Sequence, residues 1–273
     1  MAKLATVLSS PMPPRSRPIA TEPHLRIHVV AEREEAERAL ASQIAALVVE
    51  RAARGEHAIL GLATGGTPVG VYAELVRLHR AGELDFARVE TFNLDEYEGL
   101  AADHPASFRR FMHETLFERV NLPAGAIHFP PADLEPRALE RACSAYEEAI
   151  RAAGGIDLQI LGLGRNGHLA FNEPGSARES RTRRVELHPA TREDVAPIFA
   201  EHGSAPTHAV TMGLATILEA RALRVLAFGA SKAAIVRRAL REPIGPELPA
   251  SYLRTHPDVE VWLDRAAAAE TGQ

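Results

Sequence analysis

Hydrophobic and polar positions along the chain form two recurring patterns. Short apolar runs predict β-strands, and longer stretches in which Ala and Leu recur at helical period predict α-helices. The predicted strands cover residues 26–30, 57–62, 89–94, 156–163 and 259–263, and further apolar runs cover 209–215 and 223–229. The predicted helices cover residues 32–54, 69–79, 107–120, 137–153 and 231–241.

The alternation of strands and helices predicts the fold class. Parallel strands need long crossover connections, and a helix between successive strands supplies them. We therefore predict an α/β fold with an open, mostly parallel sheet covered by helices on both faces, a Rossmann-like three-layer sandwich. Ligands of such sheets bind beyond the carboxyl ends of the strands, so the residues that follow the apolar runs are the candidates for function.

The domain organisation follows from what flanks this pattern. Residues 1–22 are rich in proline, with scattered Ser and Arg, and this composition predicts a disordered tail. A transit peptide is the alternative. No internal repeat and no Gly/Ser linker divides residues 23–273, so we expect a single domain there. The proline-rich stretch 242–249 is interpreted as a surface loop.

Composition and charge exclude several function classes. The formal net charge is -5 and the sequence pI is about 6.2, so a small metabolite is a better partner than nucleic acid. Cys143 is the only cysteine, which excludes an intrachain disulfide and a thiolate metal cluster and is typical of a reducing compartment. No apolar run approaches the ~20 residues that cross a bilayer. We therefore expect a cytoplasmic protein that binds neither membrane nor nucleic acid.

The first candidate site is a glycine-threonine loop between a predicted strand and a predicted helix. Gly65 and Gly66 allow backbone N–H groups to turn towards an anion, and Thr64 and Thr67 offer hydroxyls. Because the following helix presents its positive end, the loop suits a phosphate. The alternative is a tight turn without a ligand, in which Thr67 is the N-cap and Pro68 takes the first helical position.

The second candidate is a pair of acidic residues, Asp95 and Glu96, directly after the predicted strand at 89–94. A carboxylate that is shielded from water has its pKa moved towards working pH, which suits a general base. The alternative is that the pair caps a helix or a turn at the surface.

The third candidate is a histidine in the glycine-rich turn after the strand at 156–163. Glu173 follows His168 closely, and a carboxylate at this spacing could orient or charge the imidazole of a proton-transfer relay. The alternative is a turn at Asn166-Gly167 in which His168 bonds only backbone groups.

The fourth candidate is Lys232, which comes shortly after Gly229 at the start of the last predicted helix. A lysine beside the first turn of a helix could provide a second cation for a phosphate. The alternative is an ordinary solvated lysine.

These stretches, in this order, resemble the glucosamine-6-phosphate deaminase family over residues 26–264. The sequence GHLAFNEP at 167–174 is particular to the deaminase branch, whereas the related 6-phosphogluconolactonases share only its Gly-His. Residues 93–97 and 180–183 also resemble the deaminase pattern. The resemblance implies conversion of glucosamine 6-phosphate and water to fructose 6-phosphate and ammonia, in amino-sugar catabolism, with neither a metal nor a redox cofactor.

The resemblance also implies roles for individual residues. Asp95 would move a proton between C2 and C1 of the open-chain sugar, and His168, helped by Glu173, would open the sugar ring. Asn166 stands where some members carry Asp, next to the histidine that it would support. The phosphate would be held by Thr64, Gly65, Gly66, Thr67 and Lys232.

Two departures from the family pattern leave alternatives open. Pro197 stands near the position where the family usually has a phosphate-binding arginine, and Arg192 or Arg181 is the candidate replacement. The substrate could then be another amino-sugar phosphate, and a 6-phosphogluconolactonase-like hydrolase and a non-catalytic sugar-phosphate sensor are further alternatives. Arg183 and Ser176 match the effector site of regulated members, but Val185 stands where these members commonly have a lysine, which argues against cooperative activation. The sequence leaves a homo-oligomer open.

Overall fold

The computed structural model describes residues 24–201 and 203–272. The predicted tail at 1–22 lies outside these residues. The strands are β1 (Leu25–Val30), β2 (Ala58–Leu62), β3 (Val89–Asn93), β4 (Asp95–Tyr97), β5 (Ile127–His128), β6 (Leu158–Gly162), β7 (Arg183–Glu186), β8 (His208–Thr211), β9 (Ala222–Ala227) and β10 (Val259–Asp264). The helices are α1 (Arg33–Ala53), α2 (Val69–Arg80), α3 (Phe108–Thr115), α4 (Pro136–Ala152), α5 (Pro189–Phe199), α6 (Leu214–Leu218) and α7 (Ala233–Arg241).

The main sheet has seven strands in the order β1-β10-β9-β6-β2-β3-β5. Every neighbouring pair in it is parallel. All residues of β2 and all residues of β9 are buried, which requires packed elements on both faces of the sheet. The predicted fold class, an open and mostly parallel α/β sandwich, is confirmed.

The main hydrophobic core lies between this sheet and its helices. Leu40 and Ile44 of α1 are one turn apart and fully buried, as are Leu60 and Leu62 of β2. Their burial follows from the helical period in α1 and from the continuous apolar run of a central parallel strand. Within the described residues, no helix has the length and apolar character that a membrane crossing requires.

A second, three-stranded sheet in the order β4-β8-β7 is antiparallel, and the sequence did not predict it. The apolar run at 209–215 is not one strand: β8 ends at Thr211 and α6 begins at Leu214. Because β7 and β4 are short and rich in charged residues, neither shows the apolar run by which strands were recognised.

One helix is shorter than predicted, and another was not predicted. The helix expected at 107–120 is α3, which begins after Ser107 and gives way to a 3-10 turn at Phe117–Arg119. The sequence did not predict α5, whose segment has prolines at its first position and near its end, at Pro189 and Pro197. A proline inside a helical pattern normally indicates a helix end, which explains the omission.

Candidate active site

The candidate residues lie along one edge of the main sheet. The glycine-threonine loop follows β2, Asp95 follows β3, the His168 turn follows β6 and Lys232 follows β9. These four strands are parallel members of the same sheet, so their carboxyl ends meet at a common edge.

The glycine-threonine loop has a backbone conformation that suits an anion, and it lacks the cap of a simple turn. Gly65 has a φ of 93°, which an L side chain rarely adopts. At Gly66 an added Cβ would meet no atom of the described residues within 4 Å, so protein packing does not explain the glycine, whereas close approach of a ligand would. Helix α2 begins at Val69, with Pro68 at its N-cap and no side-chain capping bond. The Thr67 cap of the alternative interpretation is not formed.

Lys232 is held at the carboxyl edge by the neighbouring strand. It ends a 3-10 turn before α7, and its Nζ donates a hydrogen bond to the carbonyl of Leu163 at 2.6 Å. Burial lowers the pKa of Lys232, while the nearby Asp194 acts in the opposite direction. The ordinary solvated lysine of the alternative interpretation therefore does not describe this side chain.

Asp95 is the more unusual carboxylate of the acidic pair. It is only 6% exposed, and burial, together with the neighbouring charge of Glu96, raises its pKa to about 8. Two buried tyrosines nearby donate their hydroxyl protons elsewhere, Tyr72 to the carbonyl of Ala63 and Tyr146 to that of Asn93. Since these donors are engaged, they do not stabilise the ionised form of Asp95.

Glu96 has a different role from Asp95. Its carboxylate accepts hydrogen bonds from the Ser107 hydroxyl at 2.8 Å and from the backbone amides of Phe108 and Arg109 at 3.0 and 2.9 Å. These groups begin α3, so Glu96 completes the cap of a helix N-terminus. The cap interpretation therefore fits Glu96, and the general-base interpretation fits Asp95.

Glu173 pairs with His168. Its Oε2 lies 3.3 Å from the His168 Nδ1 and accepts a hydrogen bond from the Asn166 side chain at 2.7 Å. Its Oε1 accepts from the Thr191 hydroxyl at 2.5 Å. Burial by itself raises the pKa of Glu173, but His168, Thr191 and Asn166 together lower it to about 2. Glu173 is thus an ionised carboxylate that can orient the ring and stabilise its protonated form.

Packing around the turn fixes the histidine ring. A Cβ at Gly164 would lie 2.3 Å from atoms of the His168 ring, so glycine is required where the ring crosses the backbone. Gly167 has a φ of 88° and packs against Leu248. Leu248 is buried. The interpretation of residues 242–249 as a surface loop is therefore wrong at the end of this stretch, where Leu248 supports the His168 turn. The reason is that this apolar residue fills the space beside Gly167.

Strand β8 joins the two catalytic candidates. Thr211 is the partner of Asp95 in the antiparallel pair, and its hydroxyl accepts a hydrogen bond from the Phe171 amide at 3.2 Å. The next carbonyl, that of Met212, accepts from the Asn172 side chain at 2.7 Å. Asp95 and the segment that follows His168 therefore both contact Thr211, the last residue of β8.

The two candidate replacements for the family arginine differ in their surroundings. The guanidinium of Arg181 forms an ion pair with Glu219, and Arg181 lies 3.6 Å from the carboxylate of Glu147, so two carboxylates already neutralise its charge. Arg192 is exposed on α5, next to Thr191, and Pro197 is exposed on the same helix. This makes Arg192 the better candidate.

The residues that resemble an effector site lie in a pocket next to Glu173. Arg183 donates hydrogen bonds to the side chains of Asn172 and Ser176, and burial lowers its pKa. The pocket is also lined by Val185, which stands where regulated family members commonly have a lysine.

Sequence reasoning missed Thr191, which reaches Glu173 from a helix that was not predicted. The neighbouring Arg192 was considered as a phosphate ligand, but nothing in the local pattern indicates that the threonine hydroxyl points at a carboxylate. A contact of this kind depends on how α5 packs over the turn.

The fold and the arrangement of the site define the class: an α/β enzyme with an open parallel sheet and its candidate site along the carboxyl edge. The family model described as glucosamine-6-phosphate isomerases/6-phosphogluconolactonase matches residues 31–262. The chain belongs to this family, as the resemblance indicated.

Relatives and solved structures narrow the similarity within the family. Glucosamine-6-phosphate deaminase of Rhodopirellula baltica is 45% identical over 90% of this chain and 95% of its own length. Glucosamine-6-phosphate deaminase 2 of Bacillus subtilis is 46% identical over 82% of this chain and 90% of its own. A solved monomeric glucosamine-6-phosphate deaminase superposes with a TM-score of 0.84 at 39% identity, over 89% of this chain and 99% of that chain. The 6-phosphogluconolactonase of Trypanosoma brucei, at 24% identity and a TM-score of 0.70 over 89% of this chain and 97% of that chain, shares the fold.

Proposed function

We propose that this protein converts glucosamine 6-phosphate and water into fructose 6-phosphate and ammonia. The relatives that are about half identical to it carry the name of that enzyme. The observation that carries the proposal is Asp95, a buried carboxylate with a pKa of about 8 at the same sheet edge as the His168–Glu173 pair. A lactonase needs no base that moves a proton between carbon atoms, whereas an aldose-ketose isomerisation does.

His168 and Asp95 carry different proton transfers of the reaction. His168, held by Glu173, moves the proton of the C1 hydroxyl to the ring oxygen and opens the ring. Asp95 then takes the C2 proton while the aldehyde oxygen O1 gains a proton from water, which forms an enolamine. Asp95 returns its proton to C1, so that C1 becomes an alcohol and C2 a protonated imine. Water adds to the imine carbon, ammonia leaves and C2 becomes the ketone. Hydrogen moves as a proton throughout, so the sequence of steps requires no redox cofactor.

The phosphate is held at a distance from the reacting carbons. The loop of Thr64, Gly65, Gly66 and Thr67, with Lys232 beside it, binds the ester, and this binding energy positions C1 and C2 against Asp95. Arg192 supplies the further cation in place of the family arginine. We place the enzyme in the cytoplasm, as a hydrolase of C–N bonds in the catabolism of N-acetylglucosamine and related amino sugars.

Ammonia release in deuterium oxide tests the proposal. Purified protein with glucosamine 6-phosphate should release ammonia and give fructose 6-phosphate that carries solvent deuterium at C1. Galactosamine 6-phosphate and mannosamine 6-phosphate, tested in parallel, identify another amino-sugar phosphate if one of them is preferred. Rapid hydrolysis of 6-phosphogluconolactone without any ammonia release would contradict the proposal, and so would binding of glucosamine 6-phosphate without turnover, which would indicate a sensor.

A further inference from the structure

Arg33, which belongs to none of the motifs in the sequence, lies between the two segments that we assign to phosphate binding. It is the first residue of α1, after β1. Its Nη2 donates hydrogen bonds to the carbonyls of Gly66 and Thr67 at 2.7 and 2.8 Å. Its guanidinium carbon lies 5.1 Å from the ring centroid of Phe228, the residue before Gly229.

We propose that Arg33 is a positioning residue that orients the glycine-threonine loop for the phosphate of the substrate. The inference rests on the proposed function only in that this loop binds a phosphate ester. Arg33 belongs to α1, a different element from the loop, and its position in the sequence does not indicate that it contacts the loop.

The geometry of the peptide group explains how a contact with carbonyls acts on a ligand. The carbonyl of Gly66 and the N–H of Thr67 belong to one planar peptide, in which they point in opposite directions. When Arg33 holds the carbonyl, the N–H of Thr67 is directed to the other side of the loop. Gly66 has no side chain to restrict its torsion angles, so an external contact is the means by which this peptide keeps one orientation.

The charge of Arg33 is balanced by Glu37. Arg33 is therefore suited to positioning the loop and less suited to attracting an anion directly. Its Nε donates to the Glu37 carboxylate at 2.5 Å, and Glu37 is nearly buried. The Glu37 carboxylate in turn lies against Gly70 in the first turn of α2, where an added Cβ would come within 1.9 Å of it. Arg33 and Glu37 thus link the start of α1 to the start of α2 around the loop.

A lysine at position 33 could not form all of these contacts. A guanidinium can bond Glu37 through Nε and two carbonyls through Nη2 at once, because its donors are fixed in a plane. An ammonium has a single nitrogen and cannot reach both groups. Arg33→Lys therefore keeps the charge and removes the geometry, and it is the variant that distinguishes positioning from attraction.

The experiment compares the wild type with Arg33→Lys, Arg33→Ala and the matched control Arg38→Ala, an exposed arginine on the same helix. Calorimetry gives the Kd for inorganic phosphate and for fructose 6-phosphate, and ammonia release gives KM and kcat. Both Arg33 variants should raise Kd and KM about tenfold, the equivalent of about 1.4 kcal/mol, with a smaller change in kcat. Hydrogen exchange should become faster in peptides that cover residues 64–67, and Arg38→Ala should match the wild type.

Two results would overturn the inference: wild-type phosphate affinity in Arg33→Ala, or full rescue of affinity by Arg33→Lys. Should Arg33→Ala fail to fold, Glu37→Gln replaces it, because this change keeps the shape of the side chain and removes the carboxylate that holds Nε. We expect it to raise Kd for phosphate about threefold, and unchanged affinity would count against the inference. If the phosphate affinity depends on Arg33 as expected but the wild type releases no ammonia, the proposed function is refuted and the inference stays intact.

Discussion

Asp95 and Glu173 are buried carboxylates at the same edge of the sheet, and their pKa values are displaced in opposite directions. The pKa of Asp95 rises to about 8 and that of Glu173 falls to about 2. Burial acts in the same direction on both, so burial does not explain the difference. Glu173 receives hydrogen bonds from Asn166 and Thr191 and lies beside His168, whereas Asp95 has Glu96 as its charged neighbour.

These different surroundings suit the two carboxylates to different roles. Without donors, a buried carboxylate favours the protonated form and exchanges a proton near neutral pH, as a general base requires. Glu173 has donors on both carboxylate oxygens, so it remains ionised and can orient His168. The donors come from α5 and from the turn after β6, and the tyrosines that could have supplied donors to Asp95 are bonded to backbone carbonyls.

The change with the largest expected effect removes the base. Asp95→Asn should lower kcat by about 10² to 10⁴, the usual contribution of a general base. The Kd for fructose 6-phosphate should change little, because base and phosphate loop are separate groups. Calorimetry and ammonia release measure the two quantities. Equal loss of binding and turnover would mean that Asp95 has a structural role instead.

The pH dependence of the rate should follow Asp95 and not Glu173. The base acts in its ionised form, and with a pKa of about 8 it is mostly protonated at neutral pH. The value of kcat/KM should therefore rise with pH, about tenfold per unit below pH 8, and level off above it. Glu173 has a pKa of about 2, so its ionisation should not change kcat/KM between pH 5 and 9. A rate that is flat from pH 6 to 8 would contradict the assignment.

The next effect in size tests the other carboxylate. Glu173→Gln removes the negative charge beside His168 and should lower kcat about 10- to 100-fold, since a charge-assisted hydrogen bond is lost. Glu179→Gln, an exposed glutamate nearby in sequence, is the control and should behave as wild type. If Glu173→Gln kept full activity, the histidine would not depend on its carboxylate partner.

The smallest expected effect comes from Thr191→Val, which keeps the shape of the side chain and removes one donor to Glu173. The pKa of Glu173 should move up towards its usual range, and kcat should fall about fivefold, the equivalent of about 1 kcal/mol. NMR titration of the labelled carboxyl and steady-state kinetics measure the two changes, with exposed Thr207→Val as the control. An unchanged titration would show that the Thr191 contact does not influence Glu173.

Much of the frame of the site was predictable from the sequence. Strands and helices alternate with clear periods, so the parallel sheet could be inferred. The rule that ligands bind at its carboxyl edge then selected the loop at 64–67, Asp95, His168 and Lys232 as candidates. The antiparallel strands were not predictable because Arg183–Glu186 and Asp95–Tyr97 are short and charged, and their pairing depends on β8.

The local sequence pattern specifies the main-sheet strands and most of the helices, and it shows which polar residues stand at the strand ends, because periodicity and strand-end position are local properties of the chain. The cap that Glu96 forms on α3 and the ion pair of Arg181 with Glu219 depend on tertiary packing, as does the lack of a side-chain donor to Asp95 among residues 24–201 and 203–272. Tertiary packing also decided that Thr191 and Arg33 reach the site from other elements. Hydrogen-bond donors and burial set the chemistry of a side chain, and both come from segments that are far apart in sequence.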